Sequence, residues 1–206
     1  MAVPQQVATP MFNLKPLSSV ELDSVVRLHR DAIGYSINSR LGAGHLAYLY
    51  SMLQQDKSSL VTVAVEDDKV LGVVSAVMDP ATFKERVFSS MPLARWGAVA
   101  GRLFLQPSLW LELWRGRALD RPVIYKNKQI EPALIAIAVH PSARQSGLGR
   151  ALVQSVDDFF CQLPQPFYHL DTRVENVAAR AFYQRLGFVE HERRGRDLIF
   201  VREIQP

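Results

Sequence analysis

The chain has 206 residues, 48% of them apolar and 21% charged, enough for one sizeable hydrophobic core and short for two. Its formal net charge of +4 admits an anionic partner without naming one, and no nucleic-acid-binding motif accompanies it. A lone cysteine, Cys161, excludes an internal disulfide framework and a clustered thiolate metal site, and is expected as a small core residue.

Residues 1–9 carry neither the basic cluster nor the apolar run of a signal peptide. The most apolar stretch, 98–114, is interrupted by Arg102, Gln106, Pro107 and Glu112. A cytoplasmic protein without a membrane span is therefore expected.

In chain order, residues 12–17 read as a short strand. Ser18-Ser19-Val20-Glu21 then forms a capping-box pattern. The helix it opens is expected to bury Val20, Val25, Leu28 and Ile33. Leu46, Leu49, Tyr50 and Leu53 fall at i, i+3, i+4 and i+7, the face of a second helix. Residues 60–66 and 69–78 are β-rich runs joined by Asp67-Asp68, a hairpin signal.

A long segment, 81–129, follows. It is rich in basic residues, carries Trp96, Trp110 and Trp114, and is expected to hold two helices. A lid, a sugar-stacking wall, a dimer contact or a solvated helical cover would all fit it. Residues 133–139 are nearly all apolar, as in a strand buried on both faces. A glycine-containing turn leads into a helix burying Leu148, Leu152, Val156, Phe159 and Phe160, closed by Pro164 and Pro166. Residues 167–173 form another strand. Asn176 opens a last helix that stops at Gly187, and 188–193 and 198–203 pair around Gly195. The sum is a mixed α/β layered domain spanning the chain.

The chemistry is concentrated between the 133–139 strand and the next helix, in His140-Pro141-Ser142-Ala143-Arg144-Gln145-Ser146-Gly147-Leu148-Gly149-Arg150. First-turn N–H groups have no intrahelical partner, and the helix dipole adds partial positive charge there. Gly147 and Gly149 allow close approach to the main chain, and Arg144 and Arg150 supply formal charge. Together these features form a diphosphate cradle. No lysine follows the second glycine as in a nucleoside-triphosphate loop, and the three-glycine dinucleotide pattern is absent. His140 reads as a solvated residue at the loop entry.

Arg144-Gln145-Ser146-Gly147-Leu148-Gly149 after a buried strand resembles the coenzyme A pyrophosphate loop of the GNAT family of acyl-CoA N-acyltransferases. A second similarity lies in Asn176-Val177-Ala178-Ala179-Arg180-Ala181-Phe182-Tyr183 and Leu186-Gly187-Phe188. The specific part covers 135–188, and the 81–129 segment stands outside the basic family pattern as a helical insertion before the central strand.

The resemblance implies acetyl-coenzyme A as cosubstrate, no metal, and a primary amine acceptor. A small-molecule amine or amino sugar is the first expectation, a peptide amine the second. It also implies a cofactor site. Main-chain groups of Ile137, Ala138 and Val139 would bind the pantetheine arm, and 144–150 the pyrophosphate. Asn176, Ala179 and Tyr183 would lie alongside.

An N–H near Val139 would polarise the thioester carbonyl, and Tyr183 would assist the departing sulfur. A free tyrosine has pKa ~10 and a thiol ~8.5, so complete proton transfer is uphill by roughly 2 kcal/mol and partial donation is expected. An alkyl amine of pKa ~10 is only about 0.1% neutral at pH 7, a handicap of roughly 4 kcal/mol, so a base is needed. Asp171 and Glu131 are the candidates. A non-catalytic acyl-CoA sensor is the competing reading. Phe182 is expected in the core, pointing away from Tyr183.

Overall fold

The computed structural model describes residues 12–110, 121–164 and 167–204. Seven strands form one sheet in the order β1-β2-β3-β6-β7-β9-β8, antiparallel throughout except for the parallel β6–β7 pair. The strands are β1 (Asn13–Pro16), β2 (Ser59–Glu66), β3 (Lys69–Val77), β6 (Ala133–Val139), β7 (Phe167–Arg173), β8 (Val189–Arg194) and β9 (Asp197–Glu203). This is the mixed α/β class expected from the sequence.

Two helical layers cover the sheet. On one face, α1 (Leu22–Ala32) and α3 (Ala43–Gln55) bury Val25, Leu46, Tyr50 and Leu53 against Val63 and Val73. On the other, α6 (Leu148–Phe160) buries Leu148, Leu152, Val156 and Phe160 against Val74, Leu134 and Tyr168. β3 feeds both cores, because successive side chains of a strand point to opposite faces. Asp67 and Asp68, with φ of 45° and 60°, turn β2 into β3 as the hairpin reading requires.

α1 departs from its expected start. Ser18 donates to the Glu21 carboxylate through both its N–H and its hydroxyl, and Lys15 reaches the same group at 2.7 Å. Those bonds, with that to Lys15 the strongest, pull the Glu21 carboxyl down to about 2. Only half of a capping box is made, and Glu21 itself occupies the cap. Val20 precedes the helix and is exposed rather than buried.

The 81–129 segment contains the two expected helices, α4 (Pro80–Ser89) and α5 (Leu93–Leu105), and also a hairpin the sequence reading did not find. Its strands are β4 (Val123–Tyr125) and β5 (Lys128–Ile130), turning at Lys126 and Asn127 with φ of 50° and 61°. Three-residue strands and a turn without glycine leave almost no periodic signal. The hairpin persists because Val123 and Ile130 pack with Phe167, Ile199 and Val201. The segment is therefore not purely helical. Trp96 stacks on Phe88 at 5.7 Å, Trp110 is exposed, and Trp114 lies outside the described residues.

Two further corrections bear on the site. Cys161 is exposed at the end of α6, its thiol bonded to the Asp158 carbonyl, and is not a core residue. β6 is not buried on both faces along its length, since Ile135 is 43% exposed. Ser75 pairs with Ala136 and Ala76 with Leu134, leaving Ile135 as the extra residue of a β-bulge. The bulge shifts the alternation, so Leu134, Ile137 and Val139 share the α6 side while Ala138 joins the other core. Among the described residues no helix is long and apolar enough to cross a membrane.

Candidate active site

β6 and β7 are in register only at Ala133 opposite His169, where the His169 N–H also reaches the Pro132 carbonyl at 3.0 Å. Beyond that point the strands diverge. The edge of β6 facing β7 consequently presents unpaired main-chain groups to a cleft of about 880 Å³. Unpaired backbone edges bind extended polar chains, as a strand partner would.

The loop entering α6 stands at this cleft. His140 caps the short 3₁₀ turn Pro141–Ala143 and bonds the Ser142 hydroxyl at 2.7 Å, the loop-entry role read from sequence. Gln145 and Gly147 both have positive φ, 66° and 87°. Left-handed residues beside a helix entry turn successive N–H groups inward as an anion nest. Nothing lies within 4 Å of a Cβ built on Gly147, so its glycine serves the backbone angle and leaves the approach open.

Gly149 differs. A Cβ there would meet the Phe182 ring at 3.0 Å, so this glycine lets α6 lie against α7 (Val177–Arg185). This helix-packing role stands beside the ligand-approach role expected from sequence, since Gly149 also lines the cleft.

Among the expected cofactor residues, Ile137, Ala138, Val139, Arg144, Gln145 and Gly149 line the cleft. Asn176, Ala179 and Tyr183 line it from α7. Ser146, Gly147, Leu148 and Arg150 do not. The Leu148 side chain is fully buried in the core, leaving only its main chain for any ligand, and Arg150 is exposed. Ser146 instead ties the loop, its hydroxyl donating to the Ala143 carbonyl at 2.8 Å.

Asp171 lies on β7 and lines the cleft. The residue is exposed at the cleft, while neighbouring protein atoms partly desolvate its carboxyl. Burial, then the Asp197 charge, push it up to about 6 against the opposing pull of Arg173. Tyr183 is buried, with ring centroids 5.4 Å from Phe182 and Phe188. Burial, then the Asp171 charge, raise its phenol well above the ordinary value, so the hydroxyl holds its proton. Phe182 packs partly buried against the core as expected, but it also lines the cleft and is the less buried of the two. Glu131 is exposed, takes a 3.4 Å bond from Gln129, and stands outside the lining residues.

Several lining residues were not read from sequence. The connection from α1 to the short helix α2 (Ile37–Arg40) brings Tyr35, Ser36 and Asn38 to the cleft. The Tyr35 hydroxyl accepts a 3.4 Å bond from Asn176, whose side-chain oxygen also caps α7 at the Ala179 N–H. Arg173 and Asp197 face each other across β7 and β9, 3.4 Å apart. His169, held neutral by burial and then by Arg194, drops to about 4. None of these carries a local motif. His169 and Arg173 share a face of β7 with Asp171, and tertiary proximity brings Tyr35 and Asp197 to them.

The comparisons agree with this geometry. The family model for the acetyltransferase (GNAT) family matches residues 28–188, and the chain belongs to that family. An uncharacterized N-acetyltransferase of Methanocaldococcus jannaschii is 36% identical over 56 residues, covering 27% of this chain and 36% of that protein's length. The PaiA N-acetyltransferase of Thermoplasma acidophilum, solved with coenzyme A, superposes with TM-score 0.60 at 13% identity, covering 93% of this chain and 98% of the other. The ribosomal-protein-S18-alanine N-acetyltransferase of Escherichia coli gives TM-score 0.56 at 18% identity, covering 95% and 96%. At such identities these likenesses speak for the fold alone.

Proposed function

We propose that this chain, as one acyltransferase domain elaborated by its 81–129 segment, transfers the acetyl group of acetyl-coenzyme A directly to a primary amine. The observation that carries this is the opening between β6 and β7, which has an anion nest at one end and Tyr183 with Asp171 on its walls. The pyrophosphate sits at the nest and the first turn of α6, with Arg144 beside it. The pantetheine arm lies along the β6 edge, and an N–H near Val139 polarises the thioester carbonyl.

Asp171 accepts the proton of the attacking amine, which a carboxyl near 6 does as an anion at neutral pH. Tyr183 donates a hydrogen bond to the departing sulfur. Its raised pKa makes full proton transfer still less favourable and supports partial donation. Cys161 takes no acetyl group, since it lies at the far end of α6, roughly 20 Å along the helix from the loop. The mixed polar wall of Tyr35, Asn38, Arg173 and Asp197 suits a polar acceptor such as a small amine or amino sugar.

The test is a panel of amines and short peptides scored by release of free coenzyme A. With an accepted amine, Tyr183→Phe lowers kcat by ~10²-fold and leaves coenzyme A affinity nearly unchanged. A kcat within about threefold of wild type, with chemistry rate-limiting, removes Tyr183 from the mechanism. The wild-type kcat falls as pH drops through about 6, because protonated Asp171 no longer accepts a proton. Asp171→Asn is slower and lacks that limb. Survival of the limb in Asp171→Asn assigns the base elsewhere.

A further inference from the structure

A second cavity, of about 380 Å³, lies behind the α1–α2 connection. Its walls carry three guanidinium groups, Arg30 from α1, Arg40 from α2 and Arg102 from α5, with Gln106 as a further donor. Asp31 is the single carboxylate among the lining residues. Among these lining residues formal positive charge exceeds negative, and the fork-shaped guanidinium groups of Arg30 and Arg102 match the oxygens of phosphate.

Part of this wall is built. Gly42 has φ of 104° and lies under the Arg102 guanidinium: a Cβ there would stand 2.8 Å from Arg102 Cζ. Arg102 also donates to the Arg40 carbonyl at 3.3 Å, and Arg40 donates to the Ser108 hydroxyl at 2.7 Å. Seven residues earlier on α5, Arg95 donates to the Gly44 carbonyl and lies over the Tyr48 ring at 4.7 Å. α5 thus meets α2 and α3 through guanidinium groups as well as through Val99, which packs partly buried against the α1–α3 core.

We propose that this cavity binds a phosphate-type oxyanion, free or as the phosphoryl group of a larger molecule, and so fastens α5 to the α1–α2 connection. The site is separate from the cleft but shares a wall with it. Gly34 and Ser39 line the polar cavity, while Tyr35 and Asn38, their immediate neighbours, line the cleft. An anion held by Arg30, Arg40 and Arg102 therefore restrains the same connection that presents Tyr35 to the cleft.

All three tryptophans of the chain, Trp96, Trp110 and Trp114, lie in the segment that carries α5, so tryptophan emission reports on it. The experiment titrates the full chain with inorganic phosphate, at ionic strength matched with sodium chloride, and follows emission together with amide exchange. Saturable binding with protection in 33–40 and 93–106 is expected. Arg30→Gln and Arg102→Gln weaken it by about tenfold or more, whereas Arg144→Gln leaves it within about twofold. Arg30 is exposed on α1, away from the Gly42 and Arg40 contacts that seat Arg102, so its variant keeps the fold even if Arg102→Gln loosens α5. Glycerol 3-phosphate in a parallel titration separates the two sources: tighter binding than phosphate marks an esterified ligand, equal or weaker binding the free anion. No saturable response beyond that of chloride overturns the proposal. So does a response lost in Arg144→Gln but kept in the other two, which puts the anion at the α6 loop.

Discussion

Helices α5 and α6 are both thirteen residues long and both amphipathic, yet they differ sharply in how much they bury. α6 turns its apolar side inward, burying Leu148, Leu152, Val153, Val156 and Phe160. None of the thirteen residues of α5 is buried, and Leu93 and Phe104 are 87% and 85% exposed. The inner side of α5 mixes Val99, which packs partly buried against the α1–α3 core, with Arg95 and Arg102, which donate to the Gly44 and Arg40 carbonyls. A periodic apolar stripe therefore specifies a helix but not how much of it the protein buries. For α6 the sheet supplies a large apolar surface, and burial decides. For α5 the available surface is the polar junction of α2 and α3, where carbonyl groups suit guanidinium donors.

The sharpest way to break this comparison is to truncate one apolar side chain on each helix. Phe160→Ala on α6 opens a cavity in the core and should cost ~3–5 kcal/mol in urea unfolding. A loss under about 1 kcal/mol would mean that α6 is not the anchor its burial implies.

A smaller effect is expected at the start of α6. Gly147→Val forces a β-branched residue into φ of 87°, a strain of ~1–2 kcal/mol in stability. It also places a side chain where the pyrophosphate is proposed to sit, so coenzyme A affinity by calorimetry should fall more than stability does. Unchanged affinity would detach the cofactor from this loop.

The smallest effect belongs to α5. Phe104→Ser should change unfolding free energy by no more than about 0.5 kcal/mol, because its ring touches solvent. A larger loss in dilute monomeric protein would show that α5 packs inward in solution.

Much of the frame was legible in the sequence. The Asp67-Asp68 hairpin, the helix carrying Leu152 and Val156, and the strand pair around Gly195 follow from local pattern and turn chemistry, and so does the loop from Arg144 to Gly149. The parts that escaped share a cause. Tyr35 and Asp197 reach the cleft from elements remote from each other in sequence, so no local rule could group them. His169 and Arg173, by contrast, share the strand period of Asp171 on β7 and could have been read from it. Val20 was misread because Glu21, bonded by Ser18 and Lys15, starts the helix after it. Gly149 was read as room for a ligand, and only the neighbouring Phe182 ring reveals its packing role.

By itself the sequence determined which segments could be helix or strand, and marked a glycine-containing helix entry whose free N–H groups could face an anion. Those are properties of neighbours along the chain, fixed by sterics and by hydrogen bonds no longer than a turn. The tertiary structure alone decided that β6 and β7 part after Ala133, that Asp171 rises to about 6, and that no residue of α5 is fully buried. Strand divergence, desolvation and the extent of a helix's burial depend on what lies across space, and residue spacing does not encode those distances.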